Sequence, residues 1–400
     1  MFSQPYIVDI HTHMYPPTYI SLLRSRTTLP MVRTFPSAPK EPRLLLLESE
    51  LPSLERALSS PAANTSGEPL PGRPLTKHYT DPEAKLAFMR QHGITTSVVS
   101  LANPWLDFLE DGEEAGKVAE EVNREMEEMC SKAAASQQNR EGPDPLFFLA
   151  ALPTTAPLEA ILSLIPKLSQ YAHCRGIILS TSGLGPSHSG LDDPAMLPIF
   201  HALAAAQLPI FLHPHYGLPD SVLGQNTQSK YGHVLPLAIG FPVETSIALV
   251  RMYLAGVFDT VPGLRVIIAH AGGVVPFLAG RVESCVVHDE LLTKKFDNQE
   301  RRTLWQVLRE QVYLDAVVYS EVGLKAAVEA VGGVERVMFG TDHPFFPPVD
   351  EKYREGMEWE SVRLNREAVR KTFGEGSEEE RLVLGGNAVR ILGLGSNTTR

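Results

Sequence analysis

Two histidines, His11 and His13 in the run DIHTH, stand one residue apart at the end of a short apolar segment. In extended backbone, alternate side chains share a face, so both imidazoles point the same way and can grip one transition-metal ion. Position strengthens this pairing. His213 follows PIFL, His270 follows RVIIA, and Asp342 follows RVMFGT, each directly after a run that reads as a strand. Three histidines and one carboxylate suit a borderline divalent ion such as Zn2+, with a position left for water or substrate. Asp9 is placed to orient one of these imidazoles, or equally to form a buried ion pair or a turn. His215 lies close enough for a supporting role, two residues beyond the strand. His343 adjoins Asp342, but neighbouring side chains point in different directions. His78, His92, His188 and His201 fall in loops or helices away from strand ends.

For these residues to meet, the chain must bring distant strand ends to one rim. Runs that are apolar on successive residues occur at 5–10, 95–101, 146–152, 174–180, 208–212, 264–269, 312–316 and 336–341. Continuous rather than alternating apolar runs are what strands buried on both faces look like. Between them lie segments of helical period, at 82–92, 116–135, 157–169, 194–206, 244–258, 274–292, 320–331 and 364–374. Eight strands alternating with eight helices predict an α/β fold of the (β/α)8 TIM-barrel type, whose active sites lie at the C-terminal ends of the strands. A doubly wound open sheet is the competing arrangement. Residues 1–400 read as a single barrel domain. The proline-rich segment 14–80 reads as a cap insertion that leaves the first strand over the barrel mouth, with a mobile stretch around 60–70. The tail SEEERLVLGGNAVRILGL reads as one extra C-terminal helix packed on the outside.

Composition narrows the function classes. The net charge of −11 argues against a nucleic-acid or anionic-membrane surface, while leaving room for a local basic pocket. Three widely spaced cysteines, Cys130, Cys174 and Cys285, make neither a disulfide framework nor a zinc ribbon, which fits a reducing, cytoplasmic location. The N-terminus lacks a basic region ahead of its apolar run, so no signal peptide is expected. No apolar run reaches the roughly 20 residues of a membrane span. Nor is there a nucleotide-binding fingerprint or a pyridoxal-type lysine motif, so no organic cofactor is expected.

The motifs HTH, FLHPH, AHAGG and GTDHPF, taken together, resemble the amidohydrolase superfamily, and more narrowly its decarboxylase branch, which includes the aminocarboxymuconate semialdehyde and resorcylate decarboxylases. Hydrolytic dinuclear members carry a carbamylated lysine after the fourth strand. Here that position reads LSTSG, so the resemblance implies one metal ion per subunit. Within the branch, GRPLTKH, SLANPWLDFL, FLHPHYGLP, AHAGGVVPFLAGR and MFGTDHPFFPP are similar to the isoorotate (uracil-5-carboxylate) decarboxylase group. That resemblance implies His11, His13, His213 and Asp342 as zinc ligands and Arg73, Asn103 and Phe345 as substrate contacts. The implied reaction releases CO2 from a small heteroaromatic carboxylate, 5-carboxyuracil, in pyrimidine salvage. Asp342 is assigned as proton donor, with His270 as an orienting group or the alternative proton shuttle. Arg73 offers two parallel donors to a carboxylate, Asn103 offers a donor and an acceptor to a uracil edge, and Trp105 or Phe345 could face the ring. Arg281, eleven positions after His270, would lie roughly 16 Å along an unbroken helix and should not reach its own metal. Family members place a matching arginine in the neighbour's pocket, which implies a homodimer; an internal ion pair with Glu283 is the alternative. Competing functions are decarboxylation of another aromatic acid, a mononuclear zinc hydrolase of cyclic amides or lactones, and an inactive metal-binding barrel.

Overall fold

Eight parallel strands form in the computed structural model, which describes residues 6–46, 48–59, 70–136, 142–185, 189–225, 227–295, 301–348 and 357–395. They are β1 (Val8–His13), β2 (Thr96–Ser100), β3 (Leu146–Ala151), β4 (Cys174–Ser180), β5 (Ile210–His213), β6 (Val266–Ile268), β7 (Val312–Asp315) and β8 (Val337–Met338). Each pairs in parallel with the next in sequence, which is the order of a (β/α)8 barrel. Six of the eight lie wholly within the predicted apolar runs, while β1 and β5 run on past theirs to His13 and His213; strands covered on both faces are largely apolar. Closure comes from the last strand returning to the first. Ile10 N donates to Phe339 O (3.1 Å), Asp342 N to His11 O (2.7 Å) and His13 N to His343 O (2.8 Å).

The eight predicted helices are present, most with shifted ends. Pro82–His92 shows why its ends fall where they do. Asp81 caps the first turn by accepting from Glu83 N (2.9 Å), Pro82 opens it, and Gly93 stops it in the left-handed conformation at φ 64°. Predicted helix 244–258 is divided by Gly256 into Phe241–Leu254 and Val257–Thr260. Leu304–Glu310 is among the helices that carry no sequence expectation. The helical run Pro236–Leu254, 19 residues with mean hydropathy 1.4, passes the length and composition test for a span. It nonetheless carries Glu244, which accepts from the amides of His215 (2.9 Å) and Gly217 (2.6 Å) at the barrel mouth.

The 14–80 insertion holds more regular structure than its prolines suggest. It contains the helix Pro17–Ser25, a three-stranded antiparallel sheet (Met31–Phe35, Ala38–Leu45, Arg73–Pro74) and the helix Leu51–Ser59. Met31, Phe35, Leu45, Leu54 and Ala57 form a small core of its own. The stretch around 60–70 expected to be mobile lies almost wholly outside the described residues. The C-terminal tail is a short helix (Glu378–Arg381), a π-turn (Leu382–Gly386) and a further helix (Asn387–Leu392). It packs on the β1–β8 seam, where Phe339 N donates to Val383 O (2.9 Å).

That seam makes a testable demand. A Cβ on Gly385 would stand 2.0 Å from the carbonyl oxygen of Tyr6, a backbone atom that cannot swing aside. Gly385→Ala should therefore destabilise by about 1–3 kcal/mol, the usual range for overpacking. Gly116, inside the helix Gly112–Ala135, has open space around it. Gly116→Ala should stabilise by about 1 kcal/mol through helix propensity. Denaturant unfolding of the two variants beside the parent should move their midpoints in opposite directions.

Candidate active site

The residues singled out at strand ends converge at the barrel mouth. The ring centroids of His11 lie 5.1 Å from those of His13, His213 and His270, and His13 and His213 are 5.2 Å apart. The Asp342 carboxylate reaches all but His213 directly: 3.3 Å from His11 Nε2, 3.5 Å from His13 Nε2 and 3.6 Å from His270 Nε2. One ligand atom from each of His11, His213, His270 and Asp342 lies within 4.8 Å of every other. That group contains His270, read from sequence as an orienting group or proton shuttle, and leaves out His13, read as a ligand.

Each of three imidazoles is held from its far side. His11 Nδ1 lies 2.6 Å from Asp315 Oδ2, His13 Nδ1 lies 3.0 Å from Ser100 Oγ, and His213 Nδ1 lies 2.7 Å from Pro214 O. In all three the Nε2 is buried and makes no hydrogen bond among the described residues, the Asp342 carboxylate standing beyond good bonding geometry from two of them. Buried polar atoms are almost always satisfied, so three orphans on one point require an explanation. A divalent cation supplies it: histidine ligands characteristically bind through one nitrogen while the other is fixed by a carboxylate or carbonyl. The charges agree. Burial holds His13 down to about 4 and His213 well below the usual histidine range, so both are neutral and carry lone pairs. Burial also works against charge on His11, but Asp342 and Asp315 outweigh it and raise it to about 10. Burial opposes charge on Asp342 too, yet His11, with His13 and His270, holds it well below the usual carboxylate range. Two carboxylates around these imidazoles demand positive charge at the centre, and a metal ion meets that demand as a proton on His11 does.

Asp315 is the residue that sequence reading missed. It ends β7, the position that had singled out the histidines, and its Oδ1 accepts from Ala271 N (2.8 Å) and Val317 N (3.0 Å) while Oδ2 accepts from His270 N (3.0 Å). It therefore fixes both His11 and the His270 turn. Asp9 acts on backbone rather than on an imidazole. Its Oδ1 accepts from His11 N (3.2 Å) and Thr341 N (3.0 Å), and its Oδ2 from the Thr341 hydroxyl (2.7 Å). His343 points away from the cluster, stacked on Phe88 at 3.6 Å between centroids. His215 Nε2 lies 2.5 Å from Asp107 Oδ2. His78, read as remote, lines the cavity, with its ring 5.3 Å from that of His343.

Between the insertion and the barrel mouth lies a cavity of about 550 Å3, whose lining includes His215 and Phe345 but not the four histidines and Asp342 of the cluster. Arg73, Asn103 and Phe345 all line it. The Arg73 guanidinium sits 4.5 Å from the centre of the Phe345 ring, and that ring is 5.5 Å from His13. Asn103 Nδ2 donates to His215 O (2.7 Å), so one of its amide hydrogens is already used. Trp105 packs 5.6 Å from His213. Arg281 is not brought to this cavity; it is exposed on the helix Val275–His288. The suggested internal partner, Glu283, is engaged instead by Tyr253 OH (2.8 Å) and by Leu304 N.

Comparison with known proteins matches the amidohydrolase family model over residues 8–394. Among solved structures, the apo IDCase (isoorotate decarboxylase) of Metarhizium anisopliae is 57% identical, covering 98% of each chain at a TM-score of 0.89. A curated relative, 2-amino-3-carboxymuconate-6-semialdehyde decarboxylase of Dictyostelium discoideum, is 26% identical across 81% of this chain and 80% of its own. A dihydroxybenzoic acid decarboxylase from Polaromonas, solved with bound manganese, shares the fold at TM-score 0.65 and 19% identity, covering 98% of each chain.

The cluster predicts its own metal content. His11→Ala and His213→Ala should each leave dialysed protein nearly free of divalent metal by elemental analysis. Asp315→Asn should keep the ligands but weaken metal affinity about 10–100-fold. Parent-like metal affinity in all three variants would remove the metal reading of the site.

Proposed function

The chain belongs to the amidohydrolase family, and from that premise we propose that it is a zinc-dependent carboxy-lyase converting 5-carboxyuracil to uracil and CO2 in the cytoplasm, as a step of pyrimidine salvage. The observation that carries this reading is the 57% identity, over nearly the whole chain, to the Metarhizium isoorotate decarboxylase. In this reading His11, His13, His213 and Asp342 hold the metal, within a single barrel domain capped by the 14–80 insertion. A divalent ion held by these residues would supply Lewis acidity to the negative charge that develops on the substrate.

The residues divide the remaining work. Arg73 meets a substrate oxygen from the cap, with Phe345 beneath it as a flat wall for the ring. Asn103 keeps a carbonyl and one free amide hydrogen for the uracil edge. Loss of CO2 directly from C5 would leave an electron pair in an sp2 orbital conjugated with nothing. Protonation at C5 makes that carbon tetrahedral; the C5–carboxyl bond then breaks, its electron pair flows to the C4 carbonyl, and the new hydrogen stays on C5 of uracil. Asp342 is the proposed donor. Its carboxyl rests ionised among imidazoles, so it must take up a proton once substrate has displaced part of that contact. His270, with Nε2 3.6 Å from Asp342 Oδ2, is the group placed to hand one over.

The second subunit belongs to the same proposal. Phe277 and Val287 stand exposed on the helix that carries Arg281, with Leu291 exposed just beyond. We read this apolar face as a homodimer contact that carries Arg281 to the partner's cavity. Mixing Arg281→Ala chains with His11→Ala chains should restore activity, because a hybrid dimer then has one intact site. No recovery despite proven subunit exchange would reject the shared site.

The chemistry is tested by product analysis with the zinc-loaded protein. 5-Carboxyuracil should give equal amounts of uracil and CO2 without an oxidant, and in heavy water the product should carry deuterium at C5. Asp342→Asn should retain part of the metal and lose nearly all turnover; near-parent turnover would transfer the proton to His270. Turnover of a resorcylate in place of 5-carboxyuracil would move the protein to the neighbouring specificity.

A further inference from the structure

Six described residues other than glycine adopt the left-handed backbone region: Gln207, His270, Ala271, Tyr319, Asp342 and Phe346. All but Gln207 lie on loops that follow a barrel strand at the mouth. Such conformations cost about 1–3 kcal/mol each and gather where a site over-determines its backbone. His270 and Asp342 already have parts in the proposed chemistry; Tyr319 has none. A bulky aromatic at φ 57° is uncommon, and it is held there deliberately. The Oδ1 of Asn365, a fully buried side chain, accepts from both Val318 N (3.2 Å) and Tyr319 N (2.8 Å). On one side Asp315 takes Val317 N (3.0 Å), and on the other Ser320 caps the following helix through Val322 N (3.1 Å).

This clamped loop delivers the Tyr319 phenol, whose hydroxyl is buried and makes no hydrogen bond among the described residues. Leaving a buried hydroxyl unmade costs about 1–3 kcal/mol. Its ring meets Phe346 at 6.1 Å, and Phe346 lines the cavity beside Phe345, which carries Arg73. Two adjacent phenylalanines are thus flanked by two polar groups, Arg73 from the insertion and Tyr319 from the barrel. Arg73 Nη1 is also buried without a hydrogen-bond partner among the described residues. Burial, with Asp342 and Asp315 near, pushes the phenol upward, so it keeps its proton.

We propose that Tyr319 is a substrate-contacting residue whose hydroxyl donates to an anionic oxygen of the bound aromatic acid, opposite Arg73. This rests on the carboxy-lyase reading but not on which acid is the substrate. Tyr319→Phe removes only the hydroxyl and keeps the ring packing. The kinetics are measured on whichever acid the parent protein decarboxylates, beside metal content and ligand-free thermal midpoint. We expect kcat/KM to fall about 10- to 100-fold, the value of a hydrogen bond to a charged group. Metal content should be unchanged, and the midpoint should equal or exceed the parent's, because an unsatisfied hydroxyl has gone. Parent-like kcat/KM overturns the proposal. So does a fall in activity accompanied by a lower midpoint or lost metal, which would make the hydroxyl structural. A parent protein that decarboxylates no acid would fail the carboxy-lyase reading instead, before Tyr319 is tested.

Discussion

Everything at the mouth depends on the closure of the first strand against the last. His11 and Asp342 are more than 300 residues apart, yet one buried carboxylate ties their backbones. Asp9 accepts from His11 N on its own strand and from the amide and hydroxyl of Thr341 on the other. Behind this tie sits Lys85, fully buried, whose ammonium donates to the Thr12 hydroxyl and meets His343 Nδ1 at 2.5 Å. Burial pushes Lys85 down and Asp9 up, so each group holds its charge against a desolvation cost that only close polar partners offset. The alternation of strand side chains then sorts the two sides of the seam. Thr12 and His343 face the lysine, while His11, His13 and Asp342 face the barrel axis.

The pattern of unsatisfied atoms reads as a map of the work still to be done. In most of the molecule buried donors and acceptors find partners, as desolvation requires. Among the described residues at the mouth, His11, His13 and His213 each present an Nε2 without a hydrogen bond, and Arg73 and Tyr319 each present such a donor. The supporting atoms are by contrast fully used: Asp315 binds one imidazole and three backbone amides, and Glu244 binds two amides of the HPHYG loop. Rigid second contacts thus prepare first contacts for something that is not protein.

Much of this was legible in the sequence, for physical reasons. Strands covered on both faces are apolar throughout, so they announce themselves, and polar residues at their ends stand out against them. That logic found His213, His270 and Asp342, and it should have found Asp315 as the last residue of its strand. It failed because a single aspartate after VYL looks like any helix cap. The insertion's sheet was illegible for a different reason. Pro39 and Pro42 stand in its middle strand, and proline argues against an interior strand. The structure accommodates them where the ladder shifts register between Arg33 and Phe35. Tyr319 offered no signal, since its distinction lies in a backbone angle and an unmade bond.

Arg73 reaches the cavity on a two-residue strand of a sheet that belongs to the insertion and has its own core. The imidazoles and carboxylates stand on the barrel. Selection can therefore act on the two parts unequally. A lengthened turn or an exchanged side chain in the insertion can re-tailor which ring is admitted, while the strand ends below keep their spacing. New specificities within this scaffold are then expected to arise by remodelling one contiguous stretch of chain, and their histories should differ most where the proline-rich segment lies.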